Sequence, residues 1–95
     1  MARYKLNVRA DDDLDRIFDY GIDHHGFEDA CAYMEGLKQR FKEIGRSPLQ
    51  YPTVNDIREG YRRSVYRAHA IYYRIGQDMV EIMRILGQQD PTKHL

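Results

Sequence analysis

From Arg3 to Val8 the side chains alternate, with Tyr4, Leu6 and Val8 on one side and Arg3, Lys5 and Asn7 on the other, which predicts a half-buried strand. Ala10-Asp11-Asp12-Asp13 then supplies an N-cap and a first turn of carboxylates suited to the positive end of a helix dipole. Leu14, Ile17, Phe18 and Ile22 recur at helical spacing, and Gly26 is placed to end that helix. A second apolar stripe begins at once, because Phe27, Ala30, Met34, Leu37, Phe41 and Ile44 follow a 3-4-3-4-3 spacing. Its charges match the dipole, with Glu28 and Asp29 in the first turn and Lys38, Arg40 and Lys42 near the end, before Gly45. The two helices make a hairpin. Residues 45–56, with Pro48, Pro52 and no period, read as a connecting loop.

From Tyr61 onward the pattern becomes β-rich, in runs from Tyr61 to Arg67, Ala68 to Ile75 and Met79 to Leu86. Gly76-Gln77-Asp78 is a short turn that makes the last two an antiparallel hairpin. The final run is apolar on both alternating faces and belongs in the middle of a sheet. The predicted fold is α+β, a single domain over residues 1–95: an N-terminal strand, a helical hairpin, then a three-stranded antiparallel meander, with the helices packed on one face of the sheet.

The 15 basic and 15 acidic residues among 95 cancel, which argues against a protein built mainly to hold nucleic acid. The cancellation hides an asymmetry. Residues 11–29 carry Asp11, Asp12, Asp13, Asp15, Asp19, Asp23, Glu28 and Asp29 against Arg16, while residues 58–74 carry Arg58, Arg62, Arg63, Arg67 and Arg74 against Glu59. Such separation sets up a local field that steers a charged partner to one face. The lone Cys31 and the lack of a long apolar run fit a reducing cytoplasm, and Cys31, beside Ala30 and Ala32, reads as a small packing residue.

Enzyme signatures are sparse: there is no Gly-rich phosphate loop, nucleophile elbow or paired-cysteine zinc spacing, so no catalytic, cofactor-binding or metal residue is assigned. His24-His25 reads as a solvated helix end, since adjacent helical residues point about 100° apart and no third ligand joins them. His69, on the strand side shared by Ile71, Tyr73 and Ile75, reads as a hydrogen-bonded structural residue. Arg62, Arg63, Arg67, Arg74 and Arg84 interleave with Tyr61, Tyr66, Tyr72 and Tyr73, a composition suited to carboxylates, phosphates or stacked rings. Arg84 interrupts the apolar face of Val80, Ile82 and Leu86, so it needs a carboxylate or carbonyl partner, for which Asp90 or the terminal carboxylate is within reach, or else lies at a binding surface.

Tyr4-Lys5-Leu6 with Ala10, Asp13-Leu14-Asp15-Arg16-Ile17, Gly60-Tyr61-Arg62-Arg63, His69-Ala70-Ile71-Tyr72-Tyr73-Arg74, Ile82-Met83-Arg84-Ile85-Leu86 and the tail Asp90-Pro91-Thr92-Lys93-His94-Leu95 resemble, in that order, the ParE family of the RelE/ParE toxin superfamily. The resemblance implies the toxin of a type II toxin-antitoxin system, serving plasmid or chromosome stabilisation. It further implies a ParD-type antitoxin that wraps a disordered C-terminal segment over the toxin in a hetero-oligomer, and DNA gyrase as the target. It implies no cofactor, no membrane and no sequence-specific nucleic-acid binding. The residues expected to contact antitoxin or target are Arg62, Arg63, Arg67, Tyr73, Arg74, Arg84, Asp90 and His94. The alternative is a ribosome-dependent mRNA endonuclease of the related RelE branch, which works with basic residues and a C-terminal tyrosine or histidine. Two departures stand out. Gly87 occupies a place where many relatives carry histidine, and Leu49-Gln50-Tyr51-Pro52 follows Pro48 where the family often has glycine, a place where pairing specificity would differ.

Overall fold

A computed structural model describes residues 3–95, so the first two residues of the predicted domain lie outside it. The chain runs β1 (Tyr4–Leu6), α1 (Val8–His25), α2 (Phe27–Arg46), β2 (Tyr61–Tyr66), β3 (His69–Ile75), β4 (Val80–Leu86) and a short α3 (Pro91–His94), with a 3-10 turn at Pro48–Gln50. The strands lie in the order β1-β4-β3-β2. The meander is antiparallel as expected, and β4 sits inside the sheet as its two-sided apolar sequence requires. β1 adds to the free side of β4 in parallel, from Tyr4 opposite Val80 to Leu6 opposite Ile82, which makes the sheet mixed.

Two element boundaries differ from the sequence expectation for a local reason. The first strand stops at Leu6 because Asn7 is the N-cap of α1, its side chain accepting from the Arg9 amide, so Val8 begins a helix and is 74% exposed. Asp11–Asp13 therefore fall within α1 instead of capping it. At the other end of the hairpin α2 runs past Gly45 to Arg46, because Gly45 lies where the N-terminal chain crosses the helix. A Cβ there would stand 2.8 Å from the Arg3 carbonyl oxygen and 2.9 Å from its nitrogen.

The sheet is covered on both faces. On one, Ala10 and Leu14 of α1 and Leu37, Phe41 and Ile44 of α2 pack on Ile71, Tyr73, Val80, Ile82 and Ile85, so most of the two apolar stripes closes one core, while Phe27, expected in the second stripe, is 63% exposed. On the other, Val54 and Ile57 of the connecting segment and Leu95 of the tail pack on Tyr61, Tyr72, Met83 and Leu86. The segment expected as a plain loop thus covers a sheet face, anchored by backbone bonds from Val54 N to Tyr61 O (2.8 Å) and from Arg63 N to Pro52 O (3.1 Å). Cys31, expected to be packed, is exposed, because the stripe of α2 turns Ala30 inward and its neighbour outward.

The tip of the β2–β3 hairpin docks on α2 at Gly36. A Cβ at that position would collide with the Tyr66 hydroxyl and come within 2.6 Å of its ring carbon Cζ. Gly36→Ala should therefore lower stability by about 1–3 kcal/mol through overpacking, despite the ~1 kcal/mol by which alanine favours a helix interior. Urea unfolding measures the difference. A variant more stable than the natural chain would show that Tyr66 yields freely and that the notch has no packing role.

Candidate partner-binding site

β1 is shorter than β4, and α1 completes the exposed edge. The last ladder bond runs from Asn7 N to Ile82 O (2.9 Å), and the next edge amide, Ile85 N, donates to Asp13 Oδ2 at 2.9 Å. Between those points β4 carries a register shift: Tyr73 pairs with Ile82 and Tyr72 with Arg84, which leaves Met83 over as a bulge. The strict alternation of Val80, Ile82, Arg84 and Leu86 expected from sequence is therefore broken. Ile85 joins Val80 and Ile82 under the helices, Leu86 joins the opposite cluster, and Arg84 is directed at α1.

There Arg84 grips Asp13 with two nitrogens, Nε to Oδ2 at 2.8 Å and Nη2 to Oδ1 at 2.9 Å, while Arg16 adds a third side-chain donor to Oδ1 at 2.6 Å. Asp13 is 2% exposed and Arg84 6%. Burial pushes the Asp13 carboxyl up, but the hydrogen bonds from Arg84 and Ile85, with the Arg84 charge, outweigh it and hold the group below the ordinary aspartate value. Asp90 is not the partner of Arg84, since its carboxylate caps α3 by accepting from the Thr92 amide and hydroxyl. The tail contributes a carbonyl instead, that of His94, at 2.9 Å from Arg84 Nη1.

The remaining arginines do not form one surface. In the β2–β3 register Arg62 stands opposite the core residue Tyr73, while Arg63 stands opposite Tyr72 on the other face. Arg62 is engaged, donating to the Tyr51 carbonyl at 2.7 Å. Arg74 is exposed and joins a cross-strand row with Glu81 (3.1 Å), which Lys5 extends (3.7 Å). Arg63 and Arg67 make no ion pair among the described residues. Tyr73, expected as a contact, is fully buried: its hydroxyl donates to the Pro48 carbonyl at 2.6 Å, and burial raises its pKa to about 12. Arg84 is likewise too deep to be a free contact, so both are corrected from partner surface to framework.

Arg67 is different. It lies in the two-residue turn between Tyr66 and His69 at a φ of 51°, the left-handed region, which costs a side-chain-bearing residue about 1–2 kcal/mol. Sequence placed no turn there because neither Arg67 nor Ala68 carries a turn signal. The guanidinium lies 5.8 Å from the centroid of Tyr66 and beside a cavity of about 400 Å³ between the helical hairpin and this turn. Tyr20, Tyr33, Tyr66 and His69 line that cavity with Ile17 and Ala30. The Tyr33 hydroxyl donates to the Tyr66 carbonyl (3.3 Å) and lies in hydrogen-bond contact with His69 Nδ1 (2.6 Å), so His69 is the hydrogen-bonded structural residue expected; burial lowers its proton affinity.

Sequence reading missed Asp13, Tyr33 and Arg40. Asp13 shares a helix face with Ala10, Leu14 and Ile17 at intervals of three and four, so a carboxylate on the buried stripe was visible but was counted with the acidic front. Arg40, read as a dipole charge, closes the outer edge of β2 by donating to Ser64 Oγ (2.9 Å) and the Val65 carbonyl (2.8 Å). His24 and His25 are exposed as expected, with His24 stacked on Tyr20 at 3.8 Å. Among the described residues no group of three metal-ligating side chains converges, and no helix is long and apolar enough to cross a membrane.

The described residues form a small mixed sheet under a helical hairpin. Residues 4–91 match the family described as "ParE toxin of type II toxin-antitoxin system, parDE", and the chain belongs to that family. It is 36% identical over 88 residues to Toxin ParE1 of Caulobacter vibrioides, covering 93% of this chain and 91% of that protein. To Toxin ParE1 of Mycobacterium tuberculosis it is 28% identical over 89 residues, covering 93% and 91%. Its fold matches a chain of the solved structure "Chromosomal ParDE TA system from P. aeruginosa" with a TM-score of 0.81 at 21% identity, over 94% of this chain and 98% of that one.

Two outcomes test the buried pair. Arg84→Ala should cost about 3–5 kcal/mol because it strands Asp13 in the core, and Arg84→Lys should recover little of it because lysine lacks the two-pronged geometry. The pH dependence follows from the lowered Asp13 pKa. The unfolded chain takes the proton more readily, so the pair's contribution is full above the unfolded value of about 3.9 and is lost as pH falls through the lower folded value. Thermal melts should therefore drop steeply below about pH 4 in the natural chain and less steeply in Asp13→Asn. Equal acid sensitivity of the two would place the loss elsewhere.

Proposed function

We propose that this chain is a toxin that works by binding: a ParD-type antitoxin neutralises it in the cytoplasm, and DNA gyrase is its target. The observation that carries the antitoxin half is Arg67, an arginine without an ionic partner among the described residues, held in a strained turn at the edge of a groove lined in part by aromatic rings. A disordered acidic segment laid between the hairpin helices and the β2–β3 turn would bury apolar area there and pair with that charge, which tunes association rate and specificity. Membership of the ParE family and the likeness to two ParE1 toxins support both halves. The face is narrower than the sequence implied, because Arg63 lies across the sheet and Arg62 is spent on Tyr51.

Support for the alternative, mRNA cleavage, is thinner. It would want an acid-base group at the end of β4, where Gly87 stands. The imidazole of His69 lies 3.5 Å from where a Gly87 Cβ would be, but its other nitrogen is tied to Tyr33.

Purified protein should block gyrase supercoiling or trap its cleavage complex, and should leave ribosome-bound mRNA intact. Site-specific mRNA cuts with gyrase unaffected would overturn the reading. On the antitoxin side, Arg67→Glu should weaken binding about tenfold or more and flatten its salt dependence. Arg63→Glu, on the opposite face, should change it far less. Equal effects would remove the groove from the interface.

A further inference from the structure

The cavity beside Arg67 has a shape and a chemistry that a general statement about antitoxin binding leaves unspecified. Its volume, about 400 Å³, is near the lower end of the ~300–1,000 Å³ typical of ligand clefts, room for one planar ring and its immediate neighbours. Five of its twelve lining residues carry rings, and three of these are set at angles to one another: Tyr33 lies 5.4 Å from Tyr66 at 61° and 5.5 Å from His69 at 64°. Such tilted walls offer both faces and edges, the arrangement in which a further aromatic ring gains most.

The polar group at the centre of that wall already has partners. The Tyr33 hydroxyl is shared between His69 Nδ1 and the Tyr66 carbonyl, and the Tyr66 hydroxyl sits over Gly36. The ring faces and edges of that wall favour a further ring. Charge is confined to the periphery, with Arg67 on the turn side and His25 and Asp29 at the hairpin end. Arg67, like His25 and Asp29, has no ionic partner among the described residues, but it alone of the three has a backbone strained where glycine or asparagine would sit easily. A turn kept at that cost for the sake of its side chain points to an anion beside the ring.

We propose that this cavity takes one aromatic side chain of the antitoxin segment, as an anchor, with a carboxylate next to it in the segment pairing with Arg67. The inference rests on the partner reading above and specifies the residue types that reading leaves open. Burying a ring in a site walled by rings, with one desolvated charge pair at its rim, is the composition of an interface hot spot.

The probes are indole-3-acetate, indole and tryptamine, titrated into the whole chain and followed through the ring signals of Tyr33, Tyr66 and His69 by NMR. Indole-3-acetate should bind with a dissociation constant on the order of 1 mM, indole more weakly and tryptamine most weakly. Arg67→Gly, which relieves the turn, should erase the advantage of indole-3-acetate over indole while leaving indole bound. Ala32→Trp, at an exposed position lining the cavity, should block all three probes and weaken antitoxin binding at least tenfold. Tryptamine binding as well as indole-3-acetate, or shifts confined to residues outside the cavity, would overturn the proposal. An antitoxin that binds the natural chain and Ala32→Trp equally overturns the anchor and leaves the partner reading standing. A ParD-type antitoxin that fails to bind the natural chain overturns that reading, whatever the indoles do.

Discussion

The Asp13–Arg84 pair is the constraint on which the rest of this fold depends. A sheet whose edge strand is only three residues long leaves β4 with unpaired edge groups, and the chain meets that need by running α1 along the edge and turning a carboxylate toward it. One aspartate then accepts from a strand amide and from three guanidinium nitrogens, so its lone pairs are used and its burial is offset. The bulge at Met83 is the matching feature in the strand, since without it Arg84 would not be brought to α1. Through the His94 carbonyl the same guanidinium also holds the tail that helps cover the far face.

That constraint reaches the proposed binding face by geometry. Ile17, Tyr20 and Gly21 lie one to two turns along α1 from Asp13, and all three line the cavity whose opposite wall is the β2–β3 turn. Fixing the rotation and height of α1 against β4 thus fixes one wall of the groove. Tyr66 in the Gly36 notch and Arg40 across the β2 edge fix the other. A rigid groove loses less conformational freedom when a flexible segment is laid into it, which is where a disordered partner's affinity is most easily lost.

Much of this was legible in the residues. Leu14 and Ile17 of the first stripe and Met34, Leu37, Phe41 and Ile44 of the second meet in one core, although Phe27 is exposed, and the two-sided apolar run of the last strand placed it inside the sheet. Arg84 announced its need for a partner. The partner itself was hidden because a bulge is a one-residue shift that leaves composition unchanged, and because Asp13 sat among acidic neighbours that face water. The arginines misled for a simpler reason: adjacent strand positions point to opposite faces, so Arg62 and Arg63 could never share a surface. Tyr73 looked like part of that surface but is its buried support. The Arg67 turn had no signal at all, since nothing in Tyr66-Arg67-Ala68-His69 favours a left-handed residue.

The central claim is that Asp13 and Arg84 act as one unit, and a double-mutant cycle measures it most directly. Asp13→Leu, Arg84→Met and the pair together are unfolded in urea and compared with the natural chain. If the account holds, each single change costs several kcal/mol and the double costs less than their sum by about 2 kcal/mol or more, because removing both charges leaves neither stranded. Losses that simply add, to within about 0.5 kcal/mol, would mean that the two residues stabilise the fold independently and that the helix is held to the sheet by packing alone.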